Sequence, residues 1–184
     1  MKATEILMEE HRVIERVLYA LEKAAGRLKR GEDVYLRFFI GTSVFIRDFA
    51  DNCHHKKEEK VLLPALIENG LSRDSGPIAA MLAEHEEARH LTQRLRQVTE
   101  KLQAGDTRAR ELVIQCCMEY VKLLREHISK EEKVLFPIAD KFIPADQQDQ
   151  IIKTFELFQP EEHGEEFHEK YYGMANRLVQ ECVR

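Results

Sequence analysis

One stretch of this chain is written twice. Cys53-His54-His55-Lys56-Lys57-Glu58-Glu59-Lys60-Val61-Leu62-Leu63-Pro64 returns from Glu126 as Glu-His-Ile-Ser-Lys-Glu-Glu-Lys-Val-Leu-Phe-Pro. Laying Pro64 on Pro137 pairs His54 with His127, Glu58 with Glu131 and Glu59 with Glu132. Positions four apart lie on one face of a helix, one turn apart. Each copy therefore offers an imidazole and a carboxylate to the same point in space. Upstream, Glu10-His11 stands 43 residues before His54, and Glu84-His85 stands 42 before His127. The order His…His-x-x-x-Glu thus occurs in two halves of similar length, the internal duplication that most constrains a fold. Two such pairs are what a two-metal site needs.

A chain of 184 residues makes one ordinary domain, long enough to bury about 70% of its unfolded surface. Eight glycines, five prolines and 33% charged residues suit a helical protein with few loops. The net charge is −5 with signs mixed along the chain, and no basic stripe with interleaved aromatics appears, so no nucleic-acid partner is expected. The start, MKATEILMEEHR, lacks the basic and apolar regions of a signal peptide. No apolar run approaches the ~20 residues of a membrane span, so no membrane partner is expected either. The cysteines Cys53, Cys116, Cys117 and Cys182 show no Cys-x-x-Cys spacing, and reduced thiols in a cytoplasmic protein are the plain reading.

Helical periodicity divides the chain into four long segments. The first starts with Thr4 as cap and runs to about Arg30, where Gly31 ends it. The second spans about Asp33 to Asn69, the third Pro77 to Ala104 and the fourth Thr107 to Phe142. Long amphipathic segments joined by short turns predict an all-α, up-down-up-down four-helix bundle over 1–143. Residues 144–184 add one or two helices packed on it. Pro64 and Pro137 sit at matching places inside the second and fourth segments. A mid-helix proline costs roughly 3 kcal/mol, so a kink shared by both halves, or helix ends, is expected there.

If His11, His54, His85 and His127 point inward at one level with Glu58 and Glu131, each of two metals receives two imidazoles and shares two bridging carboxylates. Octahedral iron keeps two positions for water, an oxo or hydroxo bridge, oxygen or nitric oxide. Iron is the first choice for this donor set, with manganese or zinc as other occupants. A structural zinc site would instead be closed and thiolate-rich. Burying two carboxylates and four imidazoles is costly unless they are paired or bound to metal. His55 and Glu59 are also four apart, but Ile128 leaves the second half no counterpart to His55. Glu59 and Glu132 fall ~140° round a regular helix from His54 and His127, off the ligand face.

These motifs, with KEEKVLLP and KEEKVLFP, resemble the hemerythrin-like (HHE cation-binding) family over about residues 1–142. The resemblance implies a non-haem di-iron centre with Glu58 and Glu131 bridging and His11, His54, His85 and His127 as terminal ligands. The pattern differs from the ferritin-like Glu-x-x-His arrangement. It also departs from oxygen-carrying hemerythrins, which place a histidine four residues after the third-helix ligand, where this chain has Arg89. The four-His, two-Glu set is closer to the di-iron proteins associated with iron–sulfur cluster repair. The expected function is binding or sensing of a small diatomic ligand, oxygen or nitric oxide, or handling of iron. An enzyme acting on nitric oxide or peroxide, an iron donor in cluster repair, and a module tied together by its metal are the alternatives. Catalytic residues are not assigned, and the sequence leaves a homodimer open. Among other residues, Tyr19, Tyr35 and Tyr120 are expected in the core, Arg89 beside an acidic neighbour or a bridging glutamate, and His90 away from the site. Cys53 reads as a small buried residue, while His163 and His168 read as surface or capping groups.

Overall fold

The structure is a computed structural model that describes residues 2–158 and 164–182. Its elements are α1 (Ala3–Lys29), α2 (36–68), α3 (Gly76–Gln103), α4 (109–142), α5 (Ala145–Glu156) and α6 (Gly164–Cys182). The first four form the expected bundle. α1 packs along α4, and α3 along both α4 and α2. α6 lies against α1 and α2, and α5 against the far end of α2 and the start of α1. No strand occurs among the described residues, and no helix among them is long and apolar enough to cross a membrane.

Thr4 is not the cap. The backbone N–H of Lys2 donates to Glu5 at 2.7 Å, and the Thr4 hydroxyl reaches across to Asp140 at 2.7 Å, tying α1 to the end of α4. Gly31 and Gly105 close α1 and α3 at φ +83° and +95°, a conformation only glycine adopts cheaply.

The prolines mark a change of helix type rather than helix ends. α2 is π-helical over Ile46–His55 and Glu58–Leu62, and α4 over Glu131–Leu135. The N–H of Leu63 bonds to the Glu58 carbonyl, and the N–H of Phe136 to that of Glu131, five residues back in both halves. Pro64 and Pro137 follow directly. A proline has no N–H to give the carbonyl four residues back, so the widened turn places it where an α-bond would already be disrupted. Such turns concentrate at functional sites.

The buried side chains form two clusters. The larger holds Val13, Leu21, Phe38, Phe39, Phe45, Phe49, Leu95 and Tyr120. The other, at the opposite end, holds Leu7, Leu62, Leu66, Met81, Leu135, Phe136 and Phe155. Along α1 to α4 the predicted ligand positions fall where one cluster gives way to the other. Phe167, Tyr171, Ala175 and Leu178 of α6 belong to the larger cluster. Tyr120 is buried as expected, but Tyr19 is 42% and Tyr35 68% exposed. Tyr19 is one residue off the inward stripe through Leu18 and stands under Lys23, and Tyr35 precedes α2 beside Arg37.

Phe49 anchors α6. Its ring lies 5.1 Å from Phe45, 5.8 Å from Tyr171 and 6.3 Å from Phe167, with no exposed area. Replacing Phe49 with Ala is expected to cost about 3–5 kcal/mol in urea unfolding. Amide exchange should accelerate first in α6, whose docking rests on that ring.

Candidate metal centre

The duplicated positions converge. His11 comes from α1, His54 and Glu58 from α2, His85 from α3, and His127 and Glu131 from α4; all six are at most 2% exposed. His11 Nε2 lies 3.1 Å from Glu131 Oε2, and His54 Nε2 3.6 Å from Glu58 Oε1. On the other side, His85 Nε2 lies 3.3 Å from Glu58 Oε2, and His127 Nε2 3.1 Å from Glu131 Oε1. Each glutamate therefore presents one oxygen to each histidine pair. That is the disposition of two carboxylates bridging two ions.

The four rings are fixed from behind by a second set of carboxylates. His54 Nδ1 meets Glu10 at 2.9 Å, His127 Nδ1 meets Glu84 at 2.9 Å, His85 Nδ1 meets Glu59 at 2.8 Å, and His11 Nδ1 meets Glu132 at 3.0 Å. A carboxylate only accepts, so Nδ1 carries the hydrogen and Nε2 is left facing inward. Cations balance this ring of acids. Lys57 reaches Glu10, Lys130 reaches Glu84, Arg12 reaches Glu132 at 2.5 Å, and Arg89 reaches Glu59 at 2.5 Å. Arg89 also holds Asp51 at 2.8 Å, so its partners are acidic neighbours and not Glu58 or Glu131. Glu59 and Glu132 stand off the ligand face, as the helical angle predicts.

Buried oxygens test the fit of a metal. Both carboxylate oxygens of Glu58, both of Glu131, and His11 Nε2 make no hydrogen bond. Such groups cost several kcal/mol each without compensation. Ligand atoms held at ~2.1 Å from one ion lie about 3.0–3.4 Å from each other; the His11, His85 and His127 spacings to the glutamate oxygens fall in that range, and that of His54, at 3.6 Å, is slightly longer. The residues present fit divalent metal. Two groups of side chains close enough to hold one ion each are His11, His54, Glu58 and Glu131, and His55, Glu58, His85 and His127.

His55 is the residue the repeat argument set aside. It is 2% exposed, its ring stacks on His85 with centroids 4.0 Å apart, and it lies edge-on to His127 at 5.6 Å. The consecutive residues His54 and His55, at the end of the π-helical turn Ile46–His55, both face inward. The sequence carried no signal for that turn. It did carry one for Glu10, Glu84, Lys57 and Lys130, which recur beside the ligands in both halves. Among the remaining residues, Cys53 is buried with its thiol pushed up to about 11, first by burial and then by Glu10, so it is inert. His90 is exposed on α3. His168 packs near Phe49, Phe167 and Tyr172 and belongs to neither ion-sized group. His163 lies outside the described residues.

Burial opposes charge throughout, and proximity overrides it. Burial works against a charged His127, yet the Glu131 carboxylate close to its Nε2 and the hydrogen bond to Glu84 push its pKa up to about 10. Burial likewise resists ionisation of Glu131, but the charge on His127 holds it well below the usual carboxyl range. Glu10, despite burial, is held at about 2 by His54 and Lys57. His55 goes the other way: burial, then the neighbouring imidazoles of His85 and His127, push it well below the ordinary histidine value.

Comparison with known proteins gives three findings. The Hemerythrin HHE cation binding domain model matches residues 2–139. Uncharacterised proteins of Mycobacterium tuberculosis and Mycobacterium bovis are 28% identical over 161 residues, 88% of this chain and 61% of theirs. The chain thus spans about three fifths of the length of these relatives. The iron–sulfur cluster repair protein YtfE of Salmonella paratyphi B is 36% identical over 89 residues, 47% of this chain and 40% of its own. No solved structure matches.

Two outcomes follow for the centre. Metal ligation requires neutral imidazole, so loading the metal-free protein at pH 7 should release the His127 proton, read with an indicator dye in weak buffer. Above pH 10 that proton is already gone and the release should shrink. In the metal-free fold the charged His127 stabilises fully below its ordinary value of 6.5, and this is lost as pH rises through about 10. Glu10 contributes in the opposite sense, stabilising above 4.5 and failing as pH falls through about 2. Separately, Glu10→Gln should weaken metal binding about 10–100-fold by loosening His54, measured by competition with a chelator.

Proposed function

Because the chain belongs to the hemerythrin HHE cation-binding domain family, we propose that it holds two iron ions at His11, His54, His85, His127, Glu58 and Glu131 and binds a small diatomic ligand there. One observation carries this reading: four buried carboxylate oxygens without hydrogen-bond donors face four imidazole nitrogens aimed at them from behind. Iron in such a donor set supplies positions for an oxygen or nitric oxide molecule and one-electron redox change.

The chain's own residues do the rest. The Glu10, Glu59, Glu84 and Glu132 carboxylates keep the rings in one orientation. Leu62 and Phe136 shield one side from water, with the Phe136 ring stacked on His11 at 5.5 Å. The two inward carboxylates, Glu58 and Glu131, would offset part of the charge of bound cations in a dry interior. A second reading, release of iron to a damaged iron–sulfur cluster, rests on the partial likeness to a cluster repair protein. In that case iron leaves during assay with an apo-cluster protein, whereas under the first reading it stays.

Metal analysis of the freshly purified protein should give two irons per chain, with a visible absorption band that bleaches on reduction under nitrogen and returns or shifts with oxygen or nitric oxide. His54→Ala and Glu58→Ala should each lower metal content and Tm together. At metal concentrations about 100 times Kd the loss is roughly 2.7 kcal/mol, or about 5–10 °C. Two metals per chain in both variants would refute the ligand assignment.

A further inference from the structure

A cavity of about 410 Å³ runs between α2 and α3 and ends at the candidate metal centre. Its α3 wall extends from Ala88 to Gln103, roughly 22 Å at the helical rise. The α2 wall runs antiparallel to it from Ile40 to His55. Ile40, Val44, Ile46 and Ala88 make much of the lining apolar. The inner end is polar and buried: Tyr120 from α4 and His55 from α2 both line the cavity, at 1% and 2% exposure.

Two polar atoms at that inner end are unsatisfied. His55 Nδ1 makes no hydrogen bond, and its nearest acid, Asp51, is 3.6 Å away. The Tyr120 hydroxyl meets no partner in hydrogen-bond geometry either, although Thr92, whose own hydroxyl donates to the Ala88 carbonyl, lies nearby. An unpaired buried polar group costs about 1–3 kcal/mol, and a cavity with convergent unpaired groups at one end is how a ligand site is built. The charges nearby indicate what fits. Arg89 is already engaged by Asp51, Glu59 and Glu86, so the inner end has no spare cation for an anionic head. The length and apolar walls select a slender molecule.

We propose that this cavity binds a slender, mainly apolar organic molecule ending in one uncharged hydroxyl, seated with that hydroxyl between His55 and Tyr120. The hydroxyl donates to one of the two atoms and accepts from the other. His55 stacks on His85, so the bound head lies one ring away from the metal ligands. The diatomic ligand proposed above needs no cavity of this length. The inference therefore stands apart from that reading, and the site should exist in the metal-free protein too.

Calorimetry with 4-butylphenol and its hydroxyl-free twin butylbenzene tests it, on protein with and without iron. The expected result is one site per chain for the phenol, in the micromolar range, with butylbenzene at least about tenfold weaker, the worth of one satisfied hydrogen bond. Tyr120→Phe, which keeps the ring and removes the hydroxyl, should bring the phenol most of the way to the butylbenzene value. Ala88→Phe should abolish binding of both. Val44→Trp, at a half-buried wall position away from the core, should do the same if Ala88→Phe does not fold. Failure of the wild type to bind below millimolar concentration, equal affinity for the two compounds, or binding undiminished by the blocking substitutions would each overturn the proposal. Loss of iron binding with phenol binding intact would sink the metal assignment alone.

Discussion

Two carboxylates buried in the middle of a helical bundle set the terms for everything around them. Glu58 and Glu131 have no exposed surface and no hydrogen-bond donor aligned on any of their four oxygens. In a low-dielectric interior, unpaired charge of that kind is the costliest group a fold can carry. Three of the inward imidazoles make it tolerable in the metal-free state by favouring a proton: burial disfavours charge on His11, His85 and His127, yet the facing carboxylates raise all three. A pair of divalent ions would replace those protons at the same points.

The outer acids show why the two halves cannot act alone. Glu10 supports His54 within the first half, and Glu84 supports His127 within the second. But Glu59 supports His85 across the halves, and Glu132 supports His11 in return. Glu58 and Glu131 cross over in the same way, each offering an oxygen to both histidine pairs. A single half would present two imidazoles and one inward acid, with one of its two rings unsupported. Duplication here produced interdependence rather than two independent sites. Lys57, buried at 0% exposure against Glu10, marks how far the charge compensation reaches into the core.

The π-helical turns connect this centre to the rest of the molecule. The turns before Pro64 and Pro137 begin at Glu58 and Glu131 themselves, whose carbonyls accept from the residue that precedes each proline, so backbone and side-chain geometry are set by the same local feature. In α2 the widened stretch is longer and brings His55 inward, against His85 on one side and the long cavity on the other. α4 has no such extension, and Ile128 stands where a second such histidine would be. The two sides of the centre are therefore unequal, although the repeat that builds them is nearly regular.

The sequence alone determined the bundle, its four long helices to within a few residues, and the convergence of the six candidate ligands. It could do so because helical period and internal repetition are local properties of the chain: residues four apart meet on any helix, and a repeated pair must meet its copy if both face inward. It also placed Glu59 and Glu132 off the ligand face. Only the tertiary structure decided which acid stands behind which ring, since Glu10 and His54 are 44 residues apart and meet only when α1 packs on α2. It likewise decided that Thr4 reaches Asp140 instead of capping α1, that Tyr19 and Tyr35 face outward, and that His55 faces in. Each of these depends on packing between helices, or on a backbone turn that no residue pattern announces, and neither is written in the spacing of any one segment.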